Sequence, residues 1–290
     1  MTNQLEFGVA VRNVAVATDF SECSERAVQH ALAVTRHFRA TLYFLHLVRP
    51  SEFPFAPEMM PVLKDAASRD CEQLVARLSG SHQLDGIDYR CTVEEGEISE
   101  VVGHFVRKHH IDLLVVGTHG RGAVPRLLLG SVAQQIFHYV RCPVLTVGPL
   151  SPGAGPRLQL KRILFSTDLS RESLDALPYV LTAMEEWHTE LDLVHVCSVM
   201  QSDHKLVMTD LSKRIVALLA GREHAPFCSH MFTGKPAPCI IDFAGSHKDD
   251  LIVLGLKPHR ALYDGPLWSQ AYEIVRHAGC PVLSIRSAQD

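Results

Sequence analysis

The chain repeats itself, and this repeat constrains the fold more than any other feature of the sequence. The segment NVAVATDFSECS (Asn13–Ser24) is echoed by RILFSTDLSRES (Arg162–Ser173), and at the same offset LYFLHLV (Leu42–Val48) is echoed by LDLVHVC (Leu191–Cys197). Toward the end of each half the matches continue at a smaller offset, up to the shared run CPVL. The second copy is therefore shorter in its middle, and the chain is predicted to hold two related domains.

The length of the chain agrees with this division. We expect the domains to span residues 1–150 and 151–290, with the Pro/Gly-rich run GPLSPGAGPRLQL (Gly148–Leu160) as the linker between the copies. Each half is long enough to bury a core of its own. The proportions of hydrophobic residues (47%) and charged residues (21%) are those of a globular protein.

Within a copy, apolar runs typical of strands alternate with helical patterns. In the first copy Ser21 is a suitable N-cap for a helix in which Ala27, Ala31 and Val34 recur at helical spacing. Apolar strands that alternate with amphipathic helices predict a parallel sheet covered on both faces. The expected fold is α/β: two tandem, doubly wound, Rossmann-like domains, each with a five-stranded parallel sheet. Ligands of such sheets bind at the carboxyl ends of the strands.

Composition argues against several classes of partner. The net charge of −4 and pI near 6.5 do not favour a duplex nucleic acid. The N-terminal residues lack the pattern of a signal peptide, and no apolar run is long enough for a membrane helix, so we expect a cytoplasmic protein. The eight cysteines form no CxxC pair and the seventeen histidines no HExxH motif, which predicts reduced thiols and no metal site.

The glycine-rich run GTHGRGAVPRLLLGS (Gly117–Ser131) lies between the end of a predicted strand and the start of a predicted helix. Backbone N–H groups and a helix dipole can meet an anion at such a place. The run is not a Walker A loop, because GxxxxGK[ST] is absent. It is not the dinucleotide fingerprint either, because Pro125 stands where the third glycine is required.

The run does contain GxxG followed, after nine residues, by Gly-Ser, and this pattern resembles the nucleotide-binding signature of the universal stress protein family. The resemblance covers both halves of the chain. It includes Thr18–Phe20, His46 near the end of the second predicted strand, and Cys142–Val144. The first copy is thus identified as a member of that family by motif and by order of elements.

The resemblance implies that the first copy binds ATP, with Mg²⁺ carried by the phosphates. It places Asp19, with Ala17 beside it, at the nucleoside end of ATP, and Leu47 along the base. The residues implied around the ribose and phosphates are Val116, Gly117, His119, Gly120, Gly130, Ser131 and Val132. Arg121 is a further candidate for contact with a phosphate.

Each assignment has a structural alternative. The glycines are also compatible with a turn that holds no ligand, and Asp19 is also a suitable cap for the first helix. Arg121 is equally typical of a solvated surface side chain. We interpret His46 and His195, at matching strand ends, as structural residues.

The second copy lacks the inner glycines. The repeat aligns Pro258 with Gly120 and Trp268 with Gly130. Proline has no N–H, and an indole occupies space where a phosphate needs bare backbone. We therefore expect ATP in the first domain only, with the second as a structural partner or as a domain that responds to another signal.

These observations favour a nucleotide-dependent switch or sensor in a stress response. A slow ATPase, a phosphoryl or nucleotidyl transferase, and a scaffold without nucleotide are the alternatives. No catalytic residue is predicted, because no side chain is clearly placed to activate water. The resemblance also implies that the two domains pair within the chain through their last strands as a pseudo-dimer. A homodimer and an unknown protein partner remain open.

Overall fold

The computed structural model describes residues 9–52, 57–118, 130–199, 202–221, 225–257 and 266–287. These residues form two compact units. One spans Ala10–Leu158, and the other begins at Gln159 and includes Val9, whose N–H donates to Oγ1 of Thr182 at 3.2 Å. Each unit contains one copy of the sequence repeat.

The first unit alternates strands and helices as the sequence predicts. Its strands are β1 (Asn13–Ala17), β2 (Thr41–Val48), β3 (Asp88–Glu95), β4 (Leu113–Gly117) and β5 (Val144–Val147). Its α-helices are α1 (Glu22–Phe38), α2 (Met60–Gly80), α3 (Ile98–Lys108) and α4 (Ser131–Tyr139). All neighbouring strands are parallel, in the order β3-β2-β1-β4-β5. The order reverses beside β1, so the carboxyl ends of β1 and β4 flank the switch point at which such sheets bind ligands.

The second unit repeats this topology. Its strands are β6 (Arg162–Ser166), β7 (Glu190–Cys197), β8 (Phe227–Thr233), β9 (Leu251–Leu256) and β10 (Val282–Arg286). Its helices are α5 (Arg171–Leu174), α6 (Leu177–Trp187), α7 (Ser202–Leu219), α8 (Pro236–His247) and α9 (Pro266–His277). The strand order β8-β7-β6-β9-β10 is again entirely parallel. The predicted fold class, two tandem doubly wound α/β domains, is confirmed.

The central strands are buried on both faces, which explains their continuous apolar sequences. Val14, Ala15 and Val16 on β1 and Leu114 and Val115 on β4 have no exposed surface. Helix α1 packs over β1 and β4 on one face. Burial of this kind is the main stabilising contribution in a parallel α/β sheet.

The two copies differ at their first helix. In the first unit α1 is one helix of 17 residues, whereas the second unit has the short α5 followed by α6. Pro178 lies in the first turn of α6. A proline lacks the N–H that a continuous helix needs and is tolerated only in its first turn, so the helix restarts there.

The run predicted as a linker is held against α1 in the first unit. Arg26 donates to the carbonyl of Pro149, His30 Nε2 donates to the carbonyl of Pro152 at 3.0 Å, and Arg36 donates to the carbonyl of Pro156 at 3.4 Å. Burial lowers the pKa of His30, which keeps its imidazole neutral. These bonds explain why the first unit extends to Leu158.

A search of the described residues for membrane-spanning helices found none of sufficient length and apolar character.

Candidate functional site

The turn between β1 and α1 is held by several hydrogen bonds at the carboxyl end of β1. The N–H of Thr18 donates to the carbonyl of Leu45 at 2.9 Å, which holds the end of β1 beside β2. Phe20 has a φ of 62°, in the left-handed region, and its N–H donates to Oγ1 of Thr18 at 3.0 Å. The turn is therefore closed by bonds between its own backbone and side chains.

Asp19 acts on the cap of α1 rather than as the cap. Its Oδ1 accepts from the N–H of Ser21 at 3.1 Å and from the hydroxyl of Ser21 at 2.6 Å. The Oγ of Ser21 in turn accepts from the N–H of Ser24 at 3.3 Å, so Ser21 is the N-cap. Asp19 thus orients the capping serine, and its carboxylate lies at the carboxyl end of β1, where the resemblance places the nucleoside.

His46 joins the end of β2 to the same turn. Its Nδ1 lies 2.7 Å from the carbonyl oxygen of Thr18. A carbonyl only accepts, so Nδ1 carries the proton. The imidazole also stacks on Phe20, with ring centroids 4.8 Å apart. These contacts support the structural interpretation of His46, and the half-buried Leu47 follows it on the strand.

The end of β4 and the start of α4 lie side by side. The buried Thr118 follows β4 and accepts from the N–H of Gly130 at 2.8 Å through its carbonyl. Gly130 is the N-cap residue of α4, with φ −56° and ψ 144°. Because any residue adopts this backbone conformation, the turn into α4 does not itself require a glycine. Gly130 places no side chain before the first N–H groups of α4, which have no partner within the helix itself.

The sheet register brings the predicted residues of β1 and β4 together. Ala17 is paired with Val116, and Gly117 is the last residue of β4. Ser131 and Val132 open α4. The structure thus gathers Ala17, Asp19, Leu47, Val116, Gly117, Gly130, Ser131 and Val132 around the carboxyl ends of β1, β2 and β4. The remaining predicted residues, His119, Gly120 and Arg121, lie outside the described residues.

The second copy reproduces the β1–α1 turn closely. The N–H of Leu169 donates to Oγ1 of Thr167 at 2.9 Å, and Oδ1 of Asp168 accepts from the N–H of Ser170 at 2.9 Å. His195 Nδ1 lies 2.9 Å from the carbonyl oxygen of Thr167. The structure of this turn alone therefore does not distinguish the two copies.

The copies differ in what surrounds the aspartate. Lys257 Nζ lies 3.6 Å from Oδ2 of Asp168, and the repeat aligns Lys257 with His119. Burial raises the pKa of Asp168, but hydrogen bonds from Ser170 and the charge of Lys257 outweigh it and hold that pKa below its usual value. Asp168, the counterpart of Asp19, thus has an ion-pair partner within its own domain. Pro258 and the side chain of Trp268 lie outside the described residues.

Gly255, the counterpart of Gly117, is required by packing. A Cβ at this position would lie 2.1 Å from the carbonyl oxygen and 2.5 Å from the Cα of Ser173 in α5. Real Cβ atoms do not approach backbone so closely, so a larger residue would displace α5. The glycine at the end of this strand therefore has a structural role in the copy without the inner glycines.

A cavity of about 300 Å³ lies between α1 and α2 beside Phe20. Thr18, Ser21 and Ser24 contribute polar groups to its wall, and an ion pair between Arg77 and Glu25, at 2.5 Å, lies along its lining. The described residues that line it share the β1–α1 turn with the candidate site but include nothing from β4 or α4.

The repeated parallel sheet and the switch-point geometry define a tandem, doubly wound α/β protein with a candidate ligand site in each copy. The universal stress protein family model matches residues 10–148 and 159–286. The chain therefore belongs to the universal stress protein family, and each of its two domains is a member of it.

Similar proteins agree with this assignment. Universal stress protein MJ0531 of Methanocaldococcus jannaschii is 27% identical over 138 residues, which are 47% of this chain and 81% of that protein. Universal stress protein A homolog 1 of Coxiella burnetii is 29% identical over 140 residues, 47% of this chain and 95% of that protein. The match to the crystal structure of a universal stress protein from Archaeoglobus fulgidus covers 95% of this chain and 98% of that chain. Its TM-score is 0.74, and the sequences are 16% identical. That structure is similar in fold.

Proposed function

We propose that the first domain binds ATP with Mg²⁺, that the second domain does not, and that the chain acts as a nucleotide-dependent switch or sensor in a stress response. The proposed contacts are those at the carboxyl ends of β1, β2 and β4, together with His119, Gly120 and Arg121. ATP supplies the anionic groups, and the ion neutralises part of their charge.

The observation that carries the proposal is the bare N-terminus of α4 beside β4. Gly130 has an unstrained backbone, so its conformation does not require a glycine, and we attribute the missing side chain to room for a phosphate. The first N–H groups of an α-helix have no partner within the helix, and the helix dipole favours an anion at that end. The second copy has Trp268 at the matching position and a lysine on Asp168.

The test is to copy the second domain's residue into the first. Gly130→Trp should abolish ATP binding, whereas Gly80→Trp should not, because a Cβ at Gly80 meets nothing within 4 Å. Two measurements are required: the nucleotide released from heat-denatured protein, and the shift of melting temperature with ATP and Mg²⁺. Far-UV circular dichroism checks that both variants fold.

The outcomes separate the alternatives. If the Gly130→Trp variant binds ATP like the parent chain, this account of the α4 N-terminus is wrong. If the parent chain releases no nucleotide and gains no stability with ATP and Mg²⁺, it is a scaffold. Turnover of many equivalents of ATP, lost in Asp19→Ala, would identify an enzyme instead.

A further inference from the structure

Three side chains with metal-binding atoms meet at the carboxyl end of β7. His195 and Cys197 are the sixth and eighth residues of that strand, and His204 lies in the first turn of α7. The two imidazoles and the thiol each offer one ligand atom, and these atoms lie within 4.8 Å of one another. A search of the described residues for three or more such ligand atoms close together finds this group and no other.

The hydrogen bonding of His195 suits a metal ligand. It is only 4% exposed, and its Nδ1 donates to the carbonyl of Thr167 at 2.9 Å. Because Nδ1 carries the proton, a neutral ring has a lone pair on Nε2. That Nε2 is buried and has no hydrogen-bond partner in the part of the chain that the structure describes. Metal-binding histidines are typically oriented in this way, by donating their other N–H to a carbonyl.

The other two side chains complete a converging set. The Nδ1 of His204 is also buried and lacks a hydrogen-bond partner among the described residues. The rings of His195 and His204 are edge to face, with centroids 5.0 Å apart. Cys197 is 7% exposed, and its thiol makes only a long contact, 3.5 Å, with the carbonyl of Phe232. Leaving buried polar atoms unpartnered destabilises a fold, so a ligand between them would remove that cost.

The first domain provides an internal comparison. His46 makes the same bond to the carbonyl of Thr18, but Val48 stands where the second domain has Cys197. His46 also stacks on Phe20, whereas His195 faces a second histidine. The shared histidine is therefore part of the common scaffold, and the thiol is particular to the second domain.

We propose that His195 Nε2, Cys197 Sγ and His204 Nδ1 bind a divalent transition-metal ion of the zinc type. Two imidazole nitrogens and a thiolate suit Zn²⁺ better than the oxygen-preferring Mg²⁺ or Ca²⁺. Zn–N bonds of about 2.0 Å and Zn–S bonds of about 2.3 Å place tetrahedral ligands roughly 3.3–3.8 Å apart, so small side-chain movements close the site. A water molecule or a further donor takes the fourth position.

Binding has a defined proton balance and a structural effect. The thiol of Cys197 releases its proton to solvent and loses its contact with Phe232, and the thiolate binds the ion. The ion then ties the end of β7 to the first turn of α7, across the connection between them. The second domain thereby gains stability from a ligand unrelated to ATP, as expected for a domain that responds to a separate signal.

The spacing explains why the sequence motifs missed this site. His195 and Cys197 are two residues apart on β7, so their side chains lie on the same face of the sheet. His204 reaches them from the helix that follows the strand. The resulting pattern, HxC followed by a histidine, matches neither a zinc finger nor HExxH.

The test uses the full-length chain without an affinity tag, treated with a chelator and then titrated with Zn²⁺ or Co²⁺. We expect one tight ion per chain and, for Co²⁺, a near-ultraviolet thiolate charge-transfer band. Cys197→Val, which copies Val48, and His204→Gln should each weaken binding at least tenfold, since loss of even an outer-shell partner costs about 10- to 100-fold. Cys228→Val removes an exposed thiol of the same domain and should change neither the affinity nor the band.

Folding of the variants is followed independently. Both tryptophans, Trp187 and Trp268, lie in the second half of the chain, so their fluorescence reports that domain. Zn²⁺ should raise the melting temperature of the parent chain and of Cys228→Val but not of Cys197→Val. Absence of tight Zn²⁺ binding to the parent chain overturns the proposal. So does binding that folded Cys197→Val and His204→Gln retain at full affinity.

Discussion

The ammonium group of Lys257 lies 3.6 Å from the carboxylate of Asp168, and the sequence repeat aligns these residues with His119 and Asp19 of the first domain. The turn that carries the aspartate is bonded alike in the two copies. The described difference between the two copies therefore lies in the sequence that follows β4 and β9, where Lys257 is aligned with His119 and Trp268 with Gly130, and not in the turn itself.

The pKa of Asp168 is raised by burial and lowered mainly by hydrogen bonds from Ser170, and the charge of Lys257 lowers it further. Lys257→Gln should raise the pKa of Asp168 toward its ordinary value, because an attractive charge is removed. The pair is partly exposed, so the free energy of unfolding should change by less than about 1 kcal/mol. A carboxyl-carbon NMR titration measures the pKa, and urea unfolding measures the stability. Lys205→Gln, at an exposed lysine of α7, is the control; an unchanged Asp168 titration would contradict the assignment.

The second domain should lose stability as the pH rises toward neutrality. Asp249 is 5% exposed, and burial, reinforced by the charge of Asp192, raises its pKa from 3.8 to about 7. A carboxyl with a raised pKa in the folded state binds more protons there than in the unfolded chain. Its stabilising effect is therefore complete below pH 3.8 and is lost as the pH rises to about 7.

Asp249→Asn should accordingly stabilise the second domain more at pH 8 than at pH 5, by about 2 kcal/mol. Tryptophan fluorescence during urea unfolding at the two pH values provides the measurement. Asp242→Asn, at an exposed carboxylate of α8, should show no such difference. Equal effects of Asp249→Asn at the two pH values would show that Asp249 is ionised normally.

Gly255 should not tolerate even alanine. The added Cβ would lie 2.1 Å from the carbonyl oxygen of Ser173, so α5 must shift, at a cost of about 1–3 kcal/mol. Gly245→Ala on α8 meets nothing within 4 Å and should be neutral or stabilising. Thermal unfolding monitored by tryptophan fluorescence compares the two variants. Equal melting temperatures would mean that α5 moves without cost.

Cys91 should be the more reactive of two exposed thiols. A hydrogen bond with Cys71 lowers the pKa of Cys91, while the same bond and burial raise the pKa of Cys71. Iodoacetamide at pH 7.5 should therefore modify Cys91 faster than the exposed Cys228, as peptide mass spectrometry can measure. Cys71→Ala should slow the reaction of Cys91 and leave that of Cys228 unchanged. If Cys91 reacts as before in this variant, Cys71 does not control its pKa.

Much of the fold was predictable because its signals are local or repeated. Continuous apolar runs gave the strands, and Ser21 is the N-cap of α1 as predicted. The break between α5 and α6 was not predicted, although Pro178 is its signal, because the second copy was interpreted through the first. The packing of the proline-rich run on α1 depends on contacts with distant side chains such as Arg26, which no local pattern reveals.

The candidate site was predicted in part for the same reason. The strand-end residues Ala17 and Val116 are neighbours through the sheet register, which follows from the strand order. The structural need for Gly255 was missed, because it arises from the approach of α5. The assignments of His119, Gly120 and Arg121, and the pairing of the domains within the chain, stay predictions.

The bonds that close the turns at Thr18 and Thr167 have a consequence for how such chains diversify. Each domain supplies all of these bonds from its own backbone and from its own threonine, aspartate, serine and histidine. The two domains therefore hold their strand ends with the same set of bonds. The same framework therefore accommodates different side chains at matching strand ends, as Val48 in one domain and Cys197 in the other illustrate.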